Sequence, residues 1–325
     1  MGSTQNTQYD KIGTKYLSIH ELPIVLPERP TILAALGDVK GANCLGNPCP
    51  SEYLHMHICT CPINPIQYLK NSNPSCKSHL AKSFSPFSNA LTIPADLACG
   101  TGRYTHLLHT LGALSVTGLD ISSSMIAAAK STYPPTQYPT LSFDVADCSK
   151  LLPLSATATG PYDIIFAGWF LNYAGSFREL VSMFKVIAGN LKEWGEGDRR
   201  FVGLTTNAHV RGKLATDSVS DFYGLDVEVL DKEYRDPDEP SKVLGVKTKV
   251  GMTDSDGKTL VAFECYQFTV EVYESAAKEA GLEIEWKDKV LPEGEWEEGY
   301  WDRWLERPNF DVLVARHVKD NCQCQ

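Results

Sequence analysis

The stretch from Asp96 to Asp120 constrains the fold more than any other part of this 325-residue chain. Small residues alternate after Asp96, at Ala98, Gly100 and Gly102. Residues with little or no side chain allow a ligand to lie directly against the backbone. A loop of this kind between a strand and a helix predicts a nucleoside pocket.

The residues that follow the loop support this arrangement. Apolar side chains at positions 104, 107, 108 and 111 recur with helical spacing, and Gly112 can end the helix. The apolar residues between 114 and 119 then predict a second strand. Its last residue, Asp120, can accept hydrogen bonds from both hydroxyls of a ribose. The pattern therefore predicts a β-α-β unit with a nucleoside site at its carboxyl end.

Two cofactor classes use such a unit, dinucleotides and S-adenosylmethionine (SAM). The dinucleotide fingerprint requires Gly or Ala three residues after its second glycine, where this chain has Thr105. The sequence Asp-Leu-Ala-Cys-Gly-Thr-Gly at 96–102 resembles the first motif of class I SAM-dependent methyltransferases. That resemblance implies SAM as the cofactor and makes Asp120 the ribose-binding acid.

Charge and composition limit the partners. The chain has 30 Lys and Arg against 40 Asp and Glu, and a net charge of −10 would repel a nucleic-acid backbone. The N-terminus carries no signal-peptide pattern, and no stretch reaches the roughly 20 apolar residues that span a bilayer. We therefore expect a soluble, cytoplasmic protein that acts on a small molecule, with no nucleic-acid or membrane partner.

Residues 46–95 interrupt the expected first strand. The segment contains seven prolines and seven serines but one acid, Glu52, and such a long irregular insert is rare in a compact domain. Joining Leu45 to Asp96 restores an unbroken strand, and the codons at both boundaries can encode splice signals. We interpret the segment as a translated, retained intron or as an unusual natural insertion, and we expect it to be disordered.

A zinc site is the competing interpretation of this insert, since His55, His57, Cys59 and Cys61 alternate within it. In a strand these residues would share one face with neighbours about 7 Å apart. Structural zinc sites instead pair their ligands at gaps of two to four residues. We therefore predict no metal.

The rest of the chain divides into further segments. We expect lid helices and the start of the first strand in 1–45, and the SAM-binding core in 96–207. Short alternating runs at 227–230, 243–250 and 260–268 predict an antiparallel cap, which together with a helix occupies 208–281. The last core strands and the tail follow in 282–325. The predicted fold is thus α/β, a Rossmann-like seven-stranded methyltransferase sheet with an antiparallel β cap.

Helical spacing from Phe177 to Leu191 predicts a helix that Gly195 and Gly197 stop. Near the chain end, four aromatic residues are interleaved with acids. We interpret these residues as a hydrophobic strap that holds the chain end down, with a ligand box as the alternative. The four are Trp296, Tyr300, Trp301 and Trp304.

Four segments outside the insert together resemble the small-molecule methyltransferases of microbial toxin and secondary-metabolite pathways. These enzymes are similar to the toxoflavin-type N-methyltransferase and its fungal relatives. The segments are residues 9–16, 168–174, 271–282 and 300–314. The resemblance implies methyl transfer to an O or N atom of a small aromatic or heterocyclic acceptor. The alternative is a SAM-binding regulator or an inactive product without turnover.

The predicted site residues fall into three groups. The cofactor group comprises Tyr16, Asp96, Ala98, Gly100, Gly102, Asp120, Ile121, Met125, Asp147, Cys148 and Ala167. Within it, Asp147 resembles an adenine-binding acid, and a strand-end cap is the alternative. The acceptor group comprises Tyr9, Trp169, Asn172 and Tyr173, with plain packing as the alternative. His209, just past the fifth strand, is the candidate base, and a solvated loop histidine is the alternative.

Overall fold

The computed structural model describes residues 18–39, 95–150, 162–193, 198–209, 219–220 and 223–318. The strands of this part of the chain are β1 (Ala95–Leu97), β2 (Val116–Asp120), β3 (Leu141–Val145), β4 (Ile164–Gly168), β5 (Arg200–Thr206), β6 (Val219–Ser220), β7 (Leu225–Arg235), β8 (Val243–Thr253), β9 (Thr259–Phe268), β10 (Leu282–Lys287) and β11 (Phe310–His317). The helices are α1 (Glu28–Leu36), α2 (Arg103–Thr110), α3 (Ser123–Thr132), α4 (Phe177–Asn190), α5 (Val270–Glu279) and α6 (Asp302–Glu306).

The larger sheet has seven strands in the order β10-β11-β5-β4-β1-β2-β3. Strands β1 to β5 pair in parallel, whereas β11 is antiparallel to both β5 and β10. This architecture confirms the predicted α/β fold with a seven-stranded sheet. Ala95, the last residue of the predicted insert, begins β1. The remainder of that insert, with its zinc candidates, lies outside the described residues.

Side chains that alternate along the strands form a hydrophobic core on each face of the larger sheet. In β4, Ile165 and Ala167 belong to the core that α4 and α5 cover. Ile164 and Phe166 belong to the opposite core, which contains residues of α1 and α2. Fully burying one such aliphatic or aromatic side chain stabilises the fold by about 1.5–3 kcal/mol. A continuous apolar run in β4 is therefore the expected sequence of a strand that is covered on both faces.

Serine caps begin two of the helices. Ser122 accepts a hydrogen bond from the Met125 amide at the start of α3, and Ser176 accepts one from the Glu179 amide at the start of α4. Helix α4 ends at Asn190, so the prediction that Gly195 and Gly197 stop it is wrong. Leu191 is extended and bridges to Tyr162, and this pairing ends the helix earlier.

The second sheet is a four-stranded antiparallel cap in the order β6-β7-β8-β9. A tight turn joins β8 to β9, where the Gly257 amide donates to the Asp254 carbonyl. The Asp254 carboxylate also accepts the amides of Asp256 and Lys258, as expected for an Asp at the start of a turn. The predicted antiparallel cap is confirmed.

The aromatic strap of the sequence analysis packs as a cluster. Trp301 stacks on Tyr223 with the rings 5.5 Å apart, and Trp304 packs against Phe310. Trp301 and Trp304 are buried, and neither lines the large cavity whose wall includes Gly100, Asp120 and residues of the cap. Within the described ranges, no helix combines the length and apolarity needed to cross a bilayer.

Candidate active site

The glycine-rich loop lies at the carboxyl end of β1, between β1 and the start of α2. Strand order reverses here, because β1 pairs with β2 on one side and with β4 on the other. Open parallel sheets bind ligands in the crevice outside such a point. In the loop, Ala98, Gly100 and Gly102 all have left-handed backbones, with φ of 57°, 54° and 84°.

Asp120 at the end of β2 is held by two backbone amides. Its Oδ2 accepts the Gly100 amide at 2.8 Å, and its Oδ1 accepts the Ser122 amide at 2.9 Å. The residue is mostly buried, and its carboxylate forms part of the wall of the large cavity. The structure thus fixes a carboxylate beside the glycine-rich loop, at the place where the sequence analysis predicts a ribose-binding acid.

The glycines near this carboxylate have different roles. Among the described residues, no atom lies within 4 Å of a Cβ added to Gly100, so this part of the structure leaves the space above Gly100 open. A Cβ on Gly102 would come within 2.8 Å of the Phe143 ring, and one on Gly118 would approach both Phe143 and Thr105 at 2.8 Å. A nucleoside could therefore lie against Gly100, whereas a glycine is needed at position 102 for close packing and for the backbone conformation.

Asp96 lies behind the loop and is absent from the cavity wall. It is fully buried, and its Oδ2 accepts a hydrogen bond of 2.7 Å from the Thr105 hydroxyl. Its Oδ1 has no hydrogen-bond partner among the described residues. Burial, with a smaller contribution from the charge of Asp120, raises the pKa of Asp96 to about 7. The geometry gives Asp96 a role in supporting the loop from behind.

The other predicted cofactor residues cluster on one side of the cavity. Five of them line its wall: Ala98, Ile121, Met125, Asp147 and Cys148. Asp147 Oδ1 accepts the Ser149 amide and hydroxyl, and Asp147 Oδ2 pairs with Lys150 at 2.5 Å. Burial acts to raise the pKa of Asp147, but these hydrogen bonds outweigh burial and lower the pKa. Ala167 is buried behind the wall, and Tyr16 lies outside the described residues.

The cavity extends from this side to the face of the cap. Its empty volume is about 1720 Å³, including solvent at its mouth. Alternate residues of three cap strands point to it, so one face of the cap forms a continuous wall. These residues are Leu225, Val227, Thr248, Val250, Met252, Phe263, Cys265 and Gln267.

Two of the predicted acceptor-site residues line the cavity, Trp169 and Tyr173. Trp169 has a left-handed backbone with φ of 58°, which costs about 1–3 kcal/mol in a residue other than glycine. Asn172 is fully buried outside the cavity wall and contacts the Cys265 thiol. Tyr9 lies outside the described residues. Of the four predicted acceptor-site residues, the structure thus brings Trp169 and Tyr173 to the cavity wall.

Sequence analysis missed four residues on the same wall, Glu28, Arg103, Tyr104 and His20, which form a polar cluster with the predicted Trp169. The Tyr104 hydroxyl donates to Glu28 Oε2, and Trp169 lies beside Glu28. Arg103 Nη1 lies 3.8 Å from Glu28 Oε2 and 2.9 Å from His20 Nδ1. In the sequence, Glu28 looks like an ordinary acid in the first turn of a helix, which is favourable without any ligand.

Burial has opposite effects on the two titratable groups beside Arg103. It raises the pKa of Glu28, against the opposing effects of Arg103, Tyr104 and Trp169. Burial and the charge of Arg103 together lower the pKa of His20 to about 4. At neutral pH His20 is therefore uncharged.

The predicted base, His209, does not contribute to the described wall of the cavity. Its Nδ1 lies 2.8 Å from Asp311 Oδ2, and its ring packs edge-on against Trp286. Asp311 is buried and also pairs with Lys289. This pairing fits a histidine that anchors the end of β5 to β11.

Comparison with known proteins places these residues in a known domain. Residues 95–195 match the sequence profile of a family described as a methyltransferase domain. The matched region runs from β1 to just past α4 and contains Gly100, Asp120 and Asp147. The match confirms a methyltransferase domain here and supports SAM as its cofactor, as predicted.

The curated relatives found are trans-aconitate 2-methyltransferases. That of Escherichia coli O157:H7 (strain EC4115) is 35% identical over 175 residues, or 47% of this chain and 65% of the relative. That of Shigella dysenteriae serotype 1 is 35% identical over 126 residues, 34% of this chain and 46% of the relative. The chain thus spans between about half and two thirds of these relatives.

Solved structures show similarity over a wider part of the chain. A SAM-dependent methyltransferase from Clostridium acetobutylicum is 18% identical, with 70% of this chain and 85% of that chain covered and a TM-score of 0.48. An amino pentose methyltransferase of calicheamicin biosynthesis from Micromonospora echinaspora, solved with bound SAM, is 17% identical. It covers 70% of this chain and 84% of its own, with a TM-score of 0.42.

Proposed function

We propose that this protein is a SAM-dependent methyltransferase that methylates an O or N atom of a small aromatic or heterocyclic acceptor, in secondary metabolism and in the cytoplasm. One observation carries the proposal. The Asp120 carboxylate is fixed by the amides of Gly100 and Ser122, directly beside the open space above Gly100. A ribose-binding acid next to an exposed glycine backbone is what a nucleoside cofactor requires.

SAM supplies an electrophilic sulfonium methyl group when it is bound. Different residues of this chain would bind different parts of SAM. Asp120 would hold the ribose, and Ile121 and Met125 would pack against the nucleoside from the start of α3. Asp147 would accept the exocyclic amine of adenine. Its low pKa keeps it ionised and able to accept at neutral pH.

The acceptor would occupy the part of the cavity under the cap. That wall is largely apolar, with Val227, Met252 and Phe263 among its residues. Its polar side chains Thr248 and Gln267 are uncharged. A small ring system that needs few hydrogen bonds fits such a wall.

Alignment in a dry cavity is the main catalytic contribution that these residues can make. Methyl transfer is an in-line displacement, and holding two reactants in line can supply about 7–11 kcal/mol of the barrier. The cap residues and Trp169 line the cavity and would reduce the access of water to a bound acceptor. The strained backbone of Trp169 is consistent with a residue that is fixed for this purpose.

Assays of methyl transfer from labelled SAM to a panel of small phenols and N-heterocycles test the proposal. We expect label in at least one acceptor and equimolar S-adenosylhomocysteine (SAH). Tight SAH binding with no labelled product would instead favour a SAM-binding regulator. Absence of SAH binding would favour an inactive product.

A further inference from the structure

Glu28 is a buried acid in the wall of the cavity that the cofactor assignments leave without a role. Only 2% of its surface is exposed, yet it contributes to the cavity wall, where it contacts Trp169 of the predicted acceptor group. The tertiary fold brings Glu28 to its hydrogen-bond donor Tyr104, which lies 76 residues away in the chain. A buried carboxylate is costly unless it is paired or has a function.

The partners of Glu28 hold its carboxylate in place, and the carboxylate keeps its ability to accept a proton. Tyr104 donates a hydrogen bond to it, Trp169 lies beside it, and Arg103 Nη1 lies 3.8 Å from its Oε2. Burial is the dominant influence on its pKa, and the direction is upward. A carboxylate whose pKa is raised is a better proton acceptor than one in water.

The charges around the acceptor space disfavour an anionic acceptor. Arg103 contacts both Glu28 and His20. His20 is neutral at any pH well above its pKa of about 4. The polar cap residues on the described wall, including Thr248 and Gln267, carry no charge. An acceptor carboxylate placed beside Glu28 would therefore meet a like charge.

We propose that Glu28 accepts the proton that the methyl acceptor loses, and that the acceptor is an uncharged molecule with an aromatic O–H or ring N–H group. This inference rests on the proposed methyltransferase function. It excludes carboxylic acids as the main acceptors. It also assigns positioning roles to Tyr104 and Trp169, which orient the Glu28 carboxylate.

The step is balanced within these groups. The acceptor oxygen or nitrogen forms a bond to the methyl carbon as the bond from that carbon to sulfur breaks, and the electron pair stays on sulfur. The proton of the acceptor passes to a Glu28 oxygen, which becomes a neutral carboxylic acid. Glu28 releases this proton to solvent after the products leave.

Acceptor acidity provides the sharpest kinetic test. We expect Glu28→Gln to lower kcat about 10²- to 10⁴-fold for a weakly acidic phenol, the usual contribution of a general base. The loss should shrink across a series of more acidic phenols and can turn into a gain, because these phenols are already ionised without the base and the Glu28 carboxylate repels a phenolate. Tyr104→Phe keeps the carboxylate and should lower kcat less. A loss that is the same for every phenol would overturn the proposal, since a structural role predicts no dependence on acidity.

The pH profile gives a second kinetic readout. The described groups facing Glu28 are Arg103, Tyr104, Trp169 and His20. Burial and the charge of Arg103 lower the pKa of His20 to about 4. The wild-type rate should fall at acidic pH as Glu28 is protonated. Glu28→Gln should lack this limb, and retention of the limb would contradict the proposal.

A complex of the protein with SAH and 4-nitrophenol tests the same idea without turnover. Absorbance reports whether the bound phenol is protonated. We expect a higher apparent pKa for bound 4-nitrophenol in the wild type than in Glu28→Gln, because the carboxylate disfavours a neighbouring phenolate. Equal values would overturn the proposal, as would a SAH complex that binds trans-aconitate but no neutral phenol or N-heterocycle.

Controls separate this inference from the proposed function. Glu271→Gln changes an exposed acid in the first turn of another helix, α5, and should leave all readouts unchanged. SAH binding should be the same in Glu28→Gln and wild type, which shows that the variant is folded. If wild-type protein does not bind SAH, the proposed function fails. If it binds SAH but Glu28→Gln behaves as wild type, only this inference fails.

Discussion

Replacing Gly100 by alanine should separate ligand binding from stability. The new Cβ meets no atom of the described part of the chain within 4 Å, so it would project into the space assigned to the nucleoside. Forcing one side chain into filled space costs about 1–3 kcal/mol, which corresponds to SAH binding that is about 5- to 150-fold weaker. The φ of 54° at this position adds a cost to folding of about 1–2 kcal/mol.

Gly118→Ala is the matched control for this variant. Its Cβ would come within 2.8 Å of both Phe143 and Thr105, so it should cost about 1–3 kcal/mol of stability by overpacking. Gly118 is absent from the cavity wall, so SAH affinity should stay near the wild-type value. The two variants are thus expected to lose similar stability but to differ in binding.

Titration calorimetry with SAH and urea unfolding provide the two measurements. Both variants should unfold at lower urea concentrations than wild type, and only Gly100→Ala should bind SAH more weakly. Wild-type affinity in Gly100→Ala would refute the claim that the nucleoside lies against this residue. Weaker binding in both variants would show that the effect is one of stability.

Three further changes test the fold around the site. The raised pKa of Asp96 means that the folded protein holds a proton that the unfolded chain releases between pH 4 and about 7, so stability without ligand should fall as pH rises through this window. Asp96→Asn should flatten that slope in urea titrations at pH 4.5 and 7.5, and an unchanged slope would argue against this origin. Tyr273→Phe removes a buried hydrogen bond of 2.6 Å to Thr205 and should cost about 1–3 kcal/mol in urea unfolding, with a loss near zero as the contrary result. Trp304→Ala removes a fully buried indole and should cost about 3–5 kcal/mol by the same measurement, and a loss under 1 kcal/mol would show that the strap contributes little.

Local patterns in the sequence were sufficient to predict that Gly100 and Asp120 lie together. Gly100 and Asp120 belong to one β-α-β unit, so short-range rules place them together. The alternating residues of β8 and β9 likewise predict a cap, because the period of two is a property of each strand alone. These features require no knowledge of distant contacts.

For some residues, the explanation that a local sequence pattern suggests differs from the one that the structure gives. In the sequence, Gly102 cannot be distinguished from Gly100. In the structure, position 102 requires a glycine because its φ is 84° and because a Cβ there would clash with the Phe143 ring. Helix α4 ends at Asn190 because Leu191 pairs with Tyr162, an interaction that no helix-stop rule contains. In both cases a tertiary contact decides what the sequence pattern leaves open.

The acceptor side depends on contacts between remote segments. Glu28 and Tyr104 are separated by 76 residues, and each has an ordinary role within its own helix. His209 was favoured for its place after β5, but the fold pairs it with Asp311, more than 100 residues later. Function on this side could therefore be inferred only after the chain was folded.

The most direct test of the central claim is a crystal structure of the protein with SAH. The account predicts both ribose hydroxyls within hydrogen-bonding distance of the Asp120 carboxylate, with the nucleoside against Gly100 and the adenine near Asp147. A ribose bound elsewhere, with the space above Gly100 filled only by water, would contradict it.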